Sequence, residues 1–205
     1  MRSFALCAIV LAGIFPLGAI AQDQMLPALH DVDGVAADDG LNIRQEPSSR
    51  SQILGRLDSD QTNVEVIELD PTGRWGRVNT GESTGWVWMR YLLRQDGQSF
   101  TEPNRCFGTE PFWSLTFDER GGTFTMLGET GQRLPQMTRV GSTRGPDRMG
   151  YVFNDGGSAM IAVVAREACN DTMSDRAYGF AVDLVSIGGR NNRRLHSGCC
   201  SISSR

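Results

Sequence analysis

The chain has 205 residues, 40% hydrophobic and 21% charged, with a formal net charge of −4; this is the composition of a globular protein of one domain or two small ones. Its 20 basic residues are all Arg and it has two His, which excludes Schiff-base or P-loop lysine chemistry and a His-rich metal site. The acids gather in the N-terminal half and there is no basic stripe, so nucleic acid is not an expected partner.

Arg2, the apolar run over residues 4–20 and the Ala19-Ile20-Ala21 signature predict a signal peptide over residues 1–21, cleaved between Ala21 and Gln22. Cys7 lacks the small residues and long apolar run of a lipoprotein signal before it. No later segment has the roughly 18 apolar residues of a membrane helix. The expected location is the periplasm or the exterior, with no membrane insertion after cleavage.

Residues 22–31 read as a short polar arm, and from Val32 the pattern becomes β. Leu41-Asn42-Ile43-Arg44 alternates apolar and polar, followed by a Pro47 turn. Strands are also expected at 53–57, 64–69, 75–79 and 85–88, with Asp70-Pro71-Thr72-Gly73 as a turn and a tight 3₁₀ turn at 89–92. Leu41-Asn42-Ile43-Arg44-x-x-Pro47, Ile53-Leu54-Gly55-x-Leu57, Val64-x-Val66, Gly73-x-Trp75-x-Arg77-Val78, Gly85-Trp86-Val87 and Tyr91-Leu92 follow one another at regular intervals. With these residues the unit at 32–95 resembles a bacterial SH3 (SH3b) domain. The resemblance implies a small curved β-barrel, an association with the cell envelope and binding of peptidoglycan or peptides.

Trp86 and Trp88 share one face of their strand. Two such rings do not both fit the centre of a sixty-residue barrel, so one is expected in a surface groove. Trp88 and Tyr91 near Arg44, together with Trp75, are the candidate ligand-binding residues, since aromatic grooves with a few charges hold peptides and glycans. The alternative is rim packing against the second unit.

Residues 96–104 have linker chemistry. The second unit, 105–205, reads as β at 112–117, 123–127, 136–140, 150–153, 159–164 and 178–187, with Gly-rich hairpin turns at 121–122, 154–157 and 188–189. The fold class expected is all-β: a small SH3-like barrel, then a second barrel of six to eight strands, lipocalin- or META-like and disulfide-bonded.

Cys106, Cys169, Cys199 and Cys200 remain after signal cleavage. An even count in an oxidising compartment implies two disulfides with three possible connectivities. Cys199 and Cys200 point to opposite faces of an extended chain, so each needs its own partner. A zinc site from Cys169, His196, Cys199 and Cys200 lacks any C-x₂-C pair. Leu195-His196-Ser197-Gly198-Cys199 is superficially similar to the motif of peptidoglycan L,D-transpeptidases, but His precedes Ser and no second His is placed as its base. Hydrolase and EF-hand signatures are absent.

Two segments stand out: Gly108-Thr109-Glu110-Pro111-Phe112-Trp113 and Cys169-Asn170-Asp171-Thr172-Met173-Ser174-Asp175-Arg176. With the closing Gly198-Cys199 they resemble a family of bacterial envelope proteins to which no activity is assigned. That resemblance implies the pairing Cys169–Cys199, leaving Cys106 for Cys200. Glu110, Trp113, Asp171, Asp175 and Arg176 are the candidate site of this unit. The structural alternative has Pro111 starting a strand, Phe112 and Trp113 filling a barrel end, and the two Asp accepting backbone bonds or pairing with Arg176.

The functional expectation is a non-catalytic, monomeric envelope protein, without metal or cofactor. Its SH3b unit would bind peptidoglycan peptide or a protein partner. The alternatives are a peptidoglycan-acting enzyme targeted by that unit, and a small-ligand carrier or inhibitor using the mouth of the second barrel.

Overall fold

The computed structural model describes residues 25–95, 103–155, 157–188 and 193–203, and every regular element in them is a β-strand apart from one 3₁₀ turn. Residues 1–24, which include the expected signal peptide and Cys7, and residues 96–102 of the linker lie outside the described residues.

The first unit contains β1 (Ala28–Val32), β2 (Gly40–Arg44), β3 (Ile53–Asp58), β4 (Val64–Val66), β5 (Glu68–Leu69), β6 (Trp75–Thr80), β7 (Ser83–Trp88), the 3₁₀ turn Met89–Tyr91 and β8 (Leu92–Arg94). They form two small antiparallel sheets, ordered β4-β1-β8 and β3-β2-β7-β6-β5. The chain passes between the sheets at residues 33–39, at 59–63, at Ile67 and at the 3₁₀ turn. The core is Val32, Leu41, Ile43, Val64, Val66, Val78, Val87 and Leu92, the inward half of each alternating strand.

The segment expected to be an arm is strand β1 from Ala28 onward, and it pairs with both β4 and β8. Its burial alternates, with Ala28, His30 and Val32 inward. A histidine on the inward face masked the period-two pattern. Burial lowers the His30 pKa from its ordinary value, against a hydrogen bond between Nδ1 and the Ala28 carbonyl that favours the charged ring.

The second unit contains β9 (Arg105–Thr109), β10 (Phe112–Asp118), β11 (Gly121–Met126), β12 (Gln132–Pro135), β13 (Met137–Gly141), β14 (Arg148–Asp155), β15 (Ser158–Cys169), β16 (Tyr178–Gly188) and β17 (Arg193–Ser201). It has nine strands rather than six to eight: β9, β12 and β17 carry too many polar residues to read as strands by hydropathy. The antiparallel order is β12-β11-β10-β9-β17-β16-β15-β14-β13. Every ladder therefore joins neighbours in the chain except β9–β17, which unites the two ends of the unit. The free edges, β12 and β13, are consecutive strands meeting at Gln136, which takes φ 58° at the corner, and the sheet nearly closes into a barrel. Trp113, Leu115, Phe124, Leu134, Tyr151, Phe153, Val164, Phe180 and Leu184 fill it.

Cys106–Cys200 and Cys169–Cys199 are both bonded. Cys106 and Cys200 sit opposite each other on β9 and β17, so that bond staples the ladder that joins the ends of the unit. Cys199 points the other way and ties β17 to the end of β15.

The units touch directly. Asn79 donates Nδ2–H to the Ala177 carbonyl (2.9 Å) and accepts the Ala177 N–H (3.1 Å), while Asp175 N–H donates to the Glu82 carbonyl (2.9 Å). Glu65 Oε2 accepts from the Ser201 hydroxyl and from Ser203 N–H, and Arg166 donates to the Leu26 carbonyl. Leu29 of β1 packs against the core of the second barrel.

Candidate functional site

The β6–β7 hairpin builds the first candidate surface. Asp70 sets its start: Oδ1 accepts the N–H groups of Arg74 and Trp75 (both 2.8 Å), and Oδ2 accepts the N–H and hydroxyl of Thr72. The Thr72 hydroxyl bond, followed by the backbone bonds, holds the Asp70 carboxyl below its ordinary pKa. This turn joins β5 to β6 in the register Glu68↔Arg77, and the two-residue Gly81-Glu82 turn of the hairpin fixes Trp75↔Trp88 and Arg77↔Trp86. Gly85 and Val87 face the core, so both tryptophans of β7 face outward. Both tryptophans, and not just one, lie on the surface side, because the small Gly85 and Val87 occupy the inward places.

Trp75 and Trp88 stack with ring centroids 6.0 Å apart and planes 18° from parallel. Tyr91 meets Trp88 edge-on, also at 6.0 Å. Trp88 is 38% exposed, whereas Tyr91 is half-buried and packs partly on the core. The 3₁₀ turn carrying Tyr91 is anchored by Met89 N–H to the Arg74 carbonyl and by Asp33 N–H to the Tyr91 carbonyl.

Two residues along the strands, on the same face, lies a polar row. Arg44 of β2 is opposite Trp86, and Trp86 is opposite Arg77, which faces Glu68 of β5. The Arg77 guanidinium lies over the Trp86 ring at 5.5 Å and pairs with Glu68 at 2.9 Å. Arg44 thus neighbours Trp86 rather than Trp88, and it donates to the Ser51 carbonyl (2.8 Å). Trp75, Trp88 and Tyr91 come together as one aromatic group. Trp86 and Arg77 belong to the same face, and the two-residue spacing of Trp86 and Trp88 was the signal for Trp86.

The second unit's motif residues are divided between packing and a cleft. Trp113 is buried, and its ring crosses the backbone of β9 and β17. A Cβ on Gly108 would overlap Trp113 Nε1, and one on Gly198 would meet the Phe107 carbonyl and the same ring. Trp113 therefore dictates Gly108, and the Phe107 backbone, with the Trp113 ring behind it, dictates Gly198. Glu110 is exposed in the β9–β10 turn, away from Trp113, and Pro111 lies in that turn instead of starting the strand. Phe112 faces outward at 45% exposure. Gly121 and Gly122 lie inside β11, and the turn before them is Glu119-Arg120. Asp118 pairs with Arg133, whose hydrogen bond is the main cause of a carboxyl pKa of about 2.

The 170–177 loop is self-bonded. Asp171 Oδ1 accepts from Met173 N–H (3.0 Å), Ser174 N–H (2.9 Å) and the Ser174 hydroxyl. Burial pushes this carboxyl up, but the Ser174 and Met173 bonds outweigh it and its pKa is lowered. Asp175 holds Glu82 through its backbone and, among the described residues, forms no ion pair with Arg176. Asp171, Arg176 and Trp113 all line a cleft of about 700 Å³ beside Glu82 of the first unit. The Arg176 guanidinium lies over the Tyr178 ring at 5.8 Å.

His196 is buried between the Trp113 and Phe124 rings at 5.9 and 6.0 Å. Burial, then the Arg194 charge, lowers its pKa. No group of three or more His, Cys, Asp or Glu is placed to hold a metal among the described residues.

Residues 39–92 match the family model of the bacterial SH3 domain. That stretch runs from just before β2 into β8, so β1 is an addition on its N-terminal side. A bacterial SH3 domain points to a cell-wall-associated role, and with the two disulfides it fits an extracytoplasmic protein. No helix among the described residues is long and apolar enough to cross a membrane. No curated protein and no solved structure shows significant similarity to the chain.

Proposed function

We propose that the protein is a non-catalytic, monomeric component of the cell envelope, exported by a cleaved signal peptide, whose SH3b unit binds peptidoglycan peptide or a peptide segment of an envelope protein. The observation that carries this reading is the outward face of the β6–β7 hairpin. It places the Trp75–Trp88–Tyr91 aromatic group beside the row Arg44–Trp86–Arg77–Glu68. Flat rings with adjacent fixed charges bury large area at low entropic cost and give direction to a polar chain laid across them. Supporting the non-catalytic reading, His30 is bound to a backbone carbonyl inside a barrel, His196 lies between aromatic rings, and the four cysteines of the described residues are oxidised in pairs.

The test is co-sedimentation with purified peptidoglycan sacculi. The protein is expected in the pellet at micromolar concentration and in the supernatant when soluble muropeptides compete. A protein that stays in the supernatant overturns the reading.

A further inference from the structure

The cleft beside Glu82 has the features of a binding site separate from the SH3b face. Its volume, about 700 Å³, suits a small organic ligand. Its wall is a continuous aromatic group, with Phe107 of β9 and Tyr178 of β16 meeting edge to face at 5.0 Å. A guanidinium flanks each ring: Arg105 lies over Phe107 at 6.0 Å and Arg176 over Tyr178 at 5.8 Å. Arg176 Nε is buried with no hydrogen-bond partner. Neither guanidinium has an acid within ion-pair distance among the described residues. Phe112, Met126 and the exposed Leu127 supply an apolar rim, with Leu127 N–H bonded to the Phe112 carbonyl at 3.0 Å.

The acids around the cleft narrow the ligand. Asp171 spends its carboxylate on the Met173 and Ser174 groups of its own loop. Glu65, within reach of the Arg176 charge, gives Oε2 to Ser201 and Ser203, and burial raises its pKa, which disfavours its charged form. Glu82 and Glu129 remain exposed at the edge, where their charge opposes a phosphate dianion. An arginine fork matches a planar carboxylate, and the aromatic and aliphatic walls want an apolar body. We infer that this cleft binds small monocarboxylates with an apolar body, the carboxylate on Arg176 and Arg105 and the body along Phe107, Tyr178 and Phe112. The free acid of a fatty chain and the C-terminus of a short apolar peptide both present this chemistry.

Isothermal titration of the protein with decanoate and with N-acetyl-Leu-Phe, each beside its neutral counterpart (decanol, or the peptide's C-terminal amide), tests the assignment. At least one acid is expected to bind with submillimolar affinity and about tenfold more tightly than its neutral counterpart. The tighter acid identifies the source. Arg105→Gln, at an exposed position, is expected to weaken that acid at least severalfold with an unchanged melting temperature, and Arg176→Gln by about tenfold. Trp88→Ala is expected to leave it unchanged. Failure of both acids to bind, equal binding of acid and neutral forms, or an Arg105→Gln variant that binds the acid as the parent does, overturns the inference.

Discussion

Replacing Trp88 by Ala separates a binding role from a packing one. The indole is 38% exposed. On a side chain of about 200 Å², that leaves about 75 Å² for a ligand to cover, worth about 2 kcal/mol at 25 cal/mol per Å². The expected loss of affinity for peptidoglycan is therefore about 30-fold. The cost to the fold is smaller than for a core aromatic, because the buried share of the ring rests on Trp75 and Tyr91 rather than on the Val66–Val78–Val87 core. About 1–2 kcal/mol of stability should be lost, against 3–5 kcal/mol for a core Trp→Ala change. Sedimentation binding curves with sacculi, run beside a thermal melt by circular dichroism, read both quantities. A folded variant with undiminished binding refutes the surface role, and a variant that loses stability on the core scale refutes the placement of Trp88 outside the packing.

Other outcomes follow from the packing and charges. Burial pushes the Glu65 carboxyl above its ordinary 4.5, against the Ser201 and Ser203 bonds and the Arg176 charge; the folded chain then holds the proton at pH values where the unfolded chain has lost it, so stability falls as pH rises from about 4.5 through the raised value. Glu65→Gln should therefore melt higher than the parent at about pH 7, with the gap closing towards about pH 4, and a gap independent of pH would count against this. Cys106 and Cys200 are 94 positions apart and Cys169 and Cys199 are 30 apart; by chain entropy the paired Cys→Ala changes should cost about 4.7 and about 3.6 kcal/mol in urea unfolding, with the larger loss for the first pair. Gly108→Ala should cost about 1–3 kcal/mol by driving a methyl into Trp113, visible as a changed near-ultraviolet spectrum and a lowered melting temperature.

The SH3b core was legible because its inward residues, from Leu41 and Ile43 to Val78 and Val87, alternate with polar ones and the Asp70–Gly73 turn has its expected chemistry. Position two apart told which β7 residues share a face, but not which face is inward, since Gly85 and Val87 are as apolar as the tryptophans. Strand β1 hid behind His30 and Asp31. Strand β17 hid behind Arg193, Arg194 and Ser197, whose polarity is tolerated where the outward side of the barrel meets solvent, and behind His196, which is buried between the Trp113 and Phe124 rings. The motif around Trp113 was readable as a motif, yet its reason lies in Gly108 and Gly198, which are 90 residues apart in sequence and meet only through the β9–β17 ladder. The cleft and the contacts from Asn79, Glu82 and Glu65 to the second unit depend on that same long-range pairing, and no local pattern encodes them.

The central claim is that the hairpin face of the SH3b unit is the envelope-binding surface. The chain has four Trp, three on that face and Trp113 inside the second barrel, so their indole N–H resonances report by location. On titration with a soluble muropeptide carrying its peptide stem, the signals of Trp75, Trp86 and Trp88 are expected to shift together and saturate while that of Trp113 stays in place. Movement of Trp113 alone, or of none of the four at millimolar muropeptide, would contradict the account.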